Sequence, residues 1–176
     1  MPTAELERLR TAIRDVPDFP KPGILFKDIT PVLADPALFR LAVAALVTAA
    51  HGRRADKVVG IDARGFIFGA AVAHTLGVGF IPVRKKGKLP YRCEASAYQL
   101  EYGEAVIEMH IDAIRPGERV LLIDDLLATG GTAAAALRLI RQMQGVPVAA
   151  LFFIELGFLG GRQALGDVEI EAIVTF

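Results

Sequence analysis

From residue 36 onward, segments of helical period alternate with short apolar runs. PALFRLAVAALVTAAH (36–51), FIFGAAVAHTL (66–76) and TAAAALRLIRQM (132–143) are separated and followed by KVVGI (57–61), GFIPV (79–83), VLLI (120–123), VAALFFI (148–154) and EAIVTF (171–176). Runs this short and this apolar are strands covered on both faces. Helices placed between them are the crossovers that parallel strands need. The alternation therefore predicts an α/β domain built on a mainly parallel sheet. AVIEMHIDAI (105–114) departs from it: Ile107, Met109 and Ile111 alternate with Glu108, His110 and Asp112, the period of a half-exposed antiparallel strand. At the N-terminus, Leu6, Leu9, Ile13 and Val16 have helical spacing, and the prolines and glycine of residues 17–36 predict an irregular flap. A length of 176 residues fits one domain, with a helix and flap over about 1–35 and the core over about 36–176.

Composition removes several classes of function. Twenty basic residues balance twenty acidic ones, so no global field attracts a polyanion, and nucleic-acid binding is not expected. The longest apolar stretch, LAVAALVTAA (41–50), is too short to span a bilayer. A single cysteine, Cys93, and an N-terminal segment without the apolar core of a secretory signal lead to a cytoplasmic expectation. With 53% of residues hydrophobic, a homo-oligomer is expected to cover the surplus apolar surface. Glu108, His110 and Asp112 read as a solvated face before they read as metal ligands, and His51 and His74 stand alone.

The chemistry concentrates in VLLIDDLLATGGTAAAA (120–136), where an apolar strand reaches Asp124 and Asp125 and then a glycine turn that opens a helix. Free N–H groups and the positive end of the helix dipole make residues 128–132 (Ala128, Thr129, Gly130, Gly131 and Thr132) a phosphate cradle. No lysine follows the glycines, which excludes the Walker nucleotide loop, and Pro82 stands where a dinucleotide fingerprint beginning at Gly77 needs its third glycine. Two carboxylates beside an anion site are coherent if the ligand also carries neutral hydroxyls. Ionised carboxylates only accept hydrogen bonds, and a ribose diol offers two donors. They would also favour Mg²⁺ held through water, or positive charge developing on the sugar carbon.

VLLIDDLLATGGT (120–132) resembles the phosphoribosyl-pyrophosphate signature of the type I phosphoribosyltransferases. FPKPGILFKDITPVL (19–33), GIDARGFIFG (60–69), PVRKKGKLPY (82–91) and LEYGEA (100–105) follow, in order and spacing, the pattern of those members that act on adenine. The resemblance implies the type I fold: a central, mainly parallel sheet flanked by helices, with a small N-terminal hood or flap and a mobile lid loop. It implies transfer of the 5-phosphoribosyl group from phosphoribosyl pyrophosphate to adenine, giving AMP and pyrophosphate. Mg²⁺ would be carried by the substrate and by water near Asp124 and Asp125, without direct protein ligands, and the assembly would be a homodimer. Arg64, after an Asp62–Ala63 peptide implied to be cis, and the basic run Arg84, Lys85, Lys86 and Lys88 would take the diphosphate. Glu101 would carry the proton of the purine imidazole, replacing an aspartate that 6-oxopurine enzymes have at the position of Ala128, and Tyr102 would cover the sugar. Leu25, Phe26 and Lys27, with Ile24, would form the adenine slot. The alternatives are a phosphoribosyltransferase for another purine, or a catalytically silent sensor of the sugar diphosphate.

Overall fold

The computed structural model describes residues 2–99 and 104–176, which gather into two compact units, 1–45 and 46–176. In the first, α1 (Thr3–Ala12) buries Leu9. The segment expected to be irregular, 17–36, supplies β2 (Leu25–Asp28), which pairs antiparallel with β1 (Arg14–Pro17) just before it, so that Val16 faces Phe26. Val16, expected at helical spacing, thus belongs to a strand. The ribbon is followed by α2 (Thr30–Ala34), where Asp28 accepts hydrogen bonds from the Thr30 N–H at 2.9 Å and the Thr30 hydroxyl at 2.8 Å. α3 (Pro36–Ala50) follows. Its start combines Pro at the first position with Asp35, whose carboxylate accepts from the Ala37 and Leu38 N–H groups at 2.8 and 3.0 Å. Those two bonds hold the Asp35 carboxyl below its ordinary value, the Leu38 bond more than the Ala37 bond.

The second unit is organised by a seven-stranded sheet in the order β5-β6-β4-β3-β7-β8-β9. β3 (Lys57–Ile61), β4 (Gly79–Lys85), β7 (Arg119–Leu127), β8 (Val146–Glu155) and β9 (Ile170–Thr175) are parallel. β6 (Glu104–His110) runs antiparallel to β4, and β5 (Cys93–Gln99) antiparallel to β6. β6 is the half-exposed strand that its alternation predicts, with Ile107 and Met109 buried. α4 (Arg64–Leu76) joins β3 to β4, and α5 (Gly131–Gln142) joins β7 to β8. α5 presents Ala133, Ala136, Leu137 and Ile140 to the core, together with Ala135 and Leu139. His51 lies in the turn after α3, and α4 ends on Gly77 at φ +70°, whose N–H caps the helix.

Strand order decides where a ligand can bind. The chain passes from β3 to β4 on one side, while β7 lies on the other side of β3, so the two connections diverge and leave a crevice at the C-terminal ends of β3 and β7. α4 closes down on this region because β3 and the helix both carry glycine. A Cβ on Gly60 would lie 2.7 Å from the Phe80 ring, and one on Gly69 would lie 2.9 Å from the same ring. The ring of Phe80 fills the space that those two side chains leave.

Replacing Gly69 by Val should overpack this contact and destabilise the fold by about 1–3 kcal/mol. Urea unfolding read by circular dichroism measures this, and a midpoint equal to that of the wild type would show that the helix shifts without cost.

Candidate active site

β7 does not stop at its apolar run. Pairing with β8 continues through Asp124↔Phe152, Leu126↔Ile154 and Leu127↔Glu155, so both acids belong to a central strand and not to the loop after it. Successive residues of a strand point to opposite faces. The two carboxylates are accordingly distinguished by their surroundings. Asp124 lines a small pocket of about 80 Å³ together with Leu126, Leu127 and the five residues 128–132 that were singled out as a phosphate cradle. Asp125 is buried, 6% exposed, and its Oδ2 lies 2.9 Å from Nε of Arg64, the first residue of α4. Asp124 thus borders the cradle, and Asp125 faces a guanidinium.

Electrostatics follow from burial. Desolvation pushes the Asp124 carboxyl well above the ordinary carboxylate range, and the neighbouring Asp125 charge adds to the rise. Desolvation also raises Asp125, opposed by the Arg64 charge. Asp124 Oδ1 accepts a hydrogen bond from the Asp125 N–H at 2.9 Å and occupies the space beside Gly65, where a Cβ would meet it at 2.5 Å. The first turn of α4, with its positive dipole end, thus borders both acids.

The cradle is built by backbone. Gly130 has φ +82° and precedes α5, whose first hydrogen bond runs from the Ala134 N–H to the Gly130 carbonyl at 2.8 Å. The N–H groups of the following residues are the ones that a helix leaves without internal partners. Thr129 is exposed and Thr132 half-buried, so their hydroxyls can add donors. Behind the loop, Gly130 packs against a 3-10 turn, Gly161–Leu165, that sequence reasoning did not single out.

Around the crevice, the Asp62–Ala63 peptide is cis, as the resemblance implied. Asp62 ties the end of β3 to β4: its N–H donates to the Val83 carbonyl at 2.9 Å, and its carboxylate accepts from Nε of Arg84 at 2.9 Å. Arg84 also donates to the Lys88 carbonyl at 3.1 Å. The basic run is divided between structures: Arg84 and Lys85 end β4, whereas Gly87, at φ +78°, forms a turn whose N–H donates to Glu108 at 2.8 Å. Glu108 and His110 thereby hold the backbone between β4 and β5, His110 accepting from the Tyr91 N–H at 3.4 Å. Among the described residues no cluster of three or more His, Cys, Asp or Glu could hold a metal ion. Cys93 donates to the Tyr91 carbonyl at 3.2 Å, and burial raises its thiol above the ordinary value.

In the first unit, Leu25, Phe26 and Lys27 are consecutive residues of β2. Leu25 is 49% exposed, the Phe26 ring packs edge-on to Phe19 at 5.1 Å, and the Lys27 ammonium pairs with Asp15 at 2.5 Å. Glu101 and Tyr102 lie outside the described residues.

The family pattern described as the phosphoribosyl transferase domain matches residues 34–153. The adenine phosphoribosyltransferase of Acidothermus cellulolyticus is 60% identical over 175 residues, 99% of each chain. Among solved structures, the adenine phosphoribosyltransferase of Rhodothermus marinus superposes with a TM-score of 0.95 at 55% identity, covering 99% of this chain and 100% of that one. The Saccharomyces cerevisiae enzyme, complexed with D-2,5-dideoxy-2,5-imino-altritol 1,6-bisphosphate and adenine, gives 0.92 at 39% identity, covering 98% and 99%. A strand carrying paired acids into a glycine-opened helix, at the crevice beside an arginine-headed helix, is thus found in a chain that matches these relatives from end to end, and it belongs to the phosphoribosyltransferase family, among the adenine phosphoribosyltransferases.

Proposed function

We propose that residues 124–132 hold ribose 5-phosphate while the chain transfers that group from phosphoribosyl pyrophosphate to adenine, releasing AMP and pyrophosphate. The observation that carries this reading is the shared pocket: Asp124 and residues 126–133 line one space. The amides and the Thr129 and Thr132 hydroxyls take the 5-phosphate, and the carboxylate accepts from the sugar hydroxyls. The yeast relative bound to a sugar-like bisphosphate together with adenine supports the same pairing of ligands.

At the other end of the sugar, Arg64, Arg84, Lys85 and Lys88 are assigned to the diphosphate. The Arg64–Asp125 pair holds a guanidinium beside the α4 N-terminus, where both can neutralise a leaving anion. Mg²⁺ fits this donor set only as an ion carried largely by substrate oxygens and water, since one carboxylate faces the cradle and the other faces Arg64. Bound there, it would supply charge neutralisation of the departing pyrophosphate. Glu101 is assigned the proton on the purine imidazole. Leu25, Phe26 and Lys27 are assigned base selection, with backbone acceptors for the exocyclic amine that adenine has and hypoxanthine lacks. No helix of the described residues is long and apolar enough to cross a membrane. We place the chain in the cytoplasm as a homodimer, in keeping with its lone cysteine and with exposed apolar side chains such as Phe158, 77% exposed.

The decisive experiment mixes the protein with Mg²⁺, phosphoribosyl pyrophosphate and each purine in turn and measures pyrophosphate. Release is expected with adenine; equal release with hypoxanthine would overturn the base assignment, and none with any purine would leave a sensor as the better reading. Glu101→Gln should lower kcat roughly 10²- to 10⁴-fold with sugar-diphosphate affinity retained. Unchanged turnover would remove Glu101 from the mechanism.

Asp124 gives a pH prediction. Its carboxyl is raised in the folded chain, so above the ordinary carboxylate value the unfolded chain has already lost a proton that the folded chain still holds. Its contribution to stability therefore falls as pH rises through that window. Asp124→Asn should be more stable than the wild type at pH 7, with the gain vanishing toward pH 4, and should bind ribose 5-phosphate less tightly. Thermal unfolding at both pH values checks this; a variant less stable at pH 7 would contradict it.

A further inference from the structure

The phosphate cradle is supported from behind by a segment that does not itself line the pocket. After β8 the chain forms 3-10 turns at Gly157–Leu159 and Gly161–Leu165. Gly161 is buried directly against the cradle: a Cβ there would overlap the Ala128 carbonyl oxygen and lie 3.0 Å from its carbon and 3.1 Å from the Gly130 nitrogen. The contact is reciprocal. A Cβ on Gly130 would overlap the Gly161 carbonyl oxygen and lie 2.9 Å from both Ala164 and Leu165. Backbone meets backbone here, and neither side can yield as a flexible side chain would.

What holds the turn in place is Arg162. Its guanidinium donates to both carboxylate oxygens of Glu155, at 2.7 and 2.6 Å, and to the Ile170 carbonyl at 3.1 Å. Glu155 is 6% exposed and ends β8, where it registers with Leu127, the residue immediately before the cradle. The Leu156 N–H donates to the Leu127 carbonyl at 2.9 Å. One bidentate fork thus locks the turn to the strand beside the cradle's point of departure. At the other end Leu165, 2% exposed, packs into the hydrophobic core.

We propose that Gly161 and Arg162 are positioning residues for the sugar phosphate: the fork presses the turn onto Ala128–Gly130 and so fixes the direction of the cradle's N–H groups. The proposal rests on the reading that residues 128–132 hold the 5-phosphate. Displacement of that backbone by a methyl group should be felt in anion affinity, because misplacement of about 1 Å can cost about 10²-fold.

The test measures binding of ribose 5-phosphate by calorimetry, alongside kcat and the KM values of both substrates, for Gly161→Ala, Arg162→Lys and Arg162→Gln. Gly161→Ala is expected to weaken ribose 5-phosphate and raise the KM for phosphoribosyl pyrophosphate by about 10-fold or more, with adenine KM and saturated turnover changed far less, the signature of lost uniform binding. Arg162→Gln should show the same split, and Arg162→Lys, which keeps the charge without the fork, should restore part of it. A folded Gly161→Ala protein that binds ribose 5-phosphate within about twofold of the wild type would overturn the proposal, as would equal losses for both substrates. If Gly161→Ala fails to fold, the two Arg162 variants decide by the same criterion. Wild-type protein that does not bind ribose 5-phosphate at all would overturn the reading of the cradle itself, a result separable from the others.

Discussion

The Arg64–Asp125 ion pair stands where two constraints collide. A sheet edge proposed to receive a sugar phosphate must offer acceptors for hydroxyls and donors for anions within one crevice, and here the acceptors sit on a central strand, Asp125 buried and Asp124 half-buried. Withdrawing two adjacent carboxylates from water is costly unless positive charge is close. The structure supplies it from the neighbouring connection, through the guanidinium 2.9 Å from Asp125 and the dipole of the helix that Arg64 begins. Because β3 and β7 are adjacent and parallel, the start of α4 and the end of β7 meet at the same edge. The topology places the compensating charge; no long side chain has to search for it.

That arrangement also divides labour between the acids. Asp124, beside the cradle and against Gly65, has its charge disfavoured and is poised to gain when donors arrive. Asp125 already has a partner. On the proposed reading, hydroxyl donors of the ligand would relieve Asp124.

Much of this was legible in the chain because strong signals were local. KVVGI and GFIPV appear as β3 and the greater part of β4, the alanine-rich helix begins one residue early at Gly131, and the alternation of residues 105–111 gave the orientation of β6. What escaped notice lacked local signal. In β5 only the small Cys93, Ala95 and Ala97 alternate with Glu94 and Ser96, and the residue that is buried is the polar Ser96, which receives a hydrogen bond from Arg138, 42 residues away. The ribbon of β1 and β2 was hidden by prolines that sit at its end and in its connecting turn. Two acids in succession looked like the end of β7, yet main-chain pairing to β8 carries the strand three residues past the first of them. Gly161 was unremarkable in GFLGGR because what it touches lies about thirty residues earlier.

The mutual contact of Gly130 and Gly161 has a consequence for how such a chain can change over generations. Each glycine excludes a side chain at the other's position, and Gly130 adds a backbone angle that other residues adopt only with strain. No compensating shrinkage exists, since neither partner has an atom left to lose. Single-step drift at either place meets a steric wall, so descendants of this sequence that keep the cradle should keep both glycines and the arginine fork beside them, while Gln163, exposed in the same turn, remains free to vary.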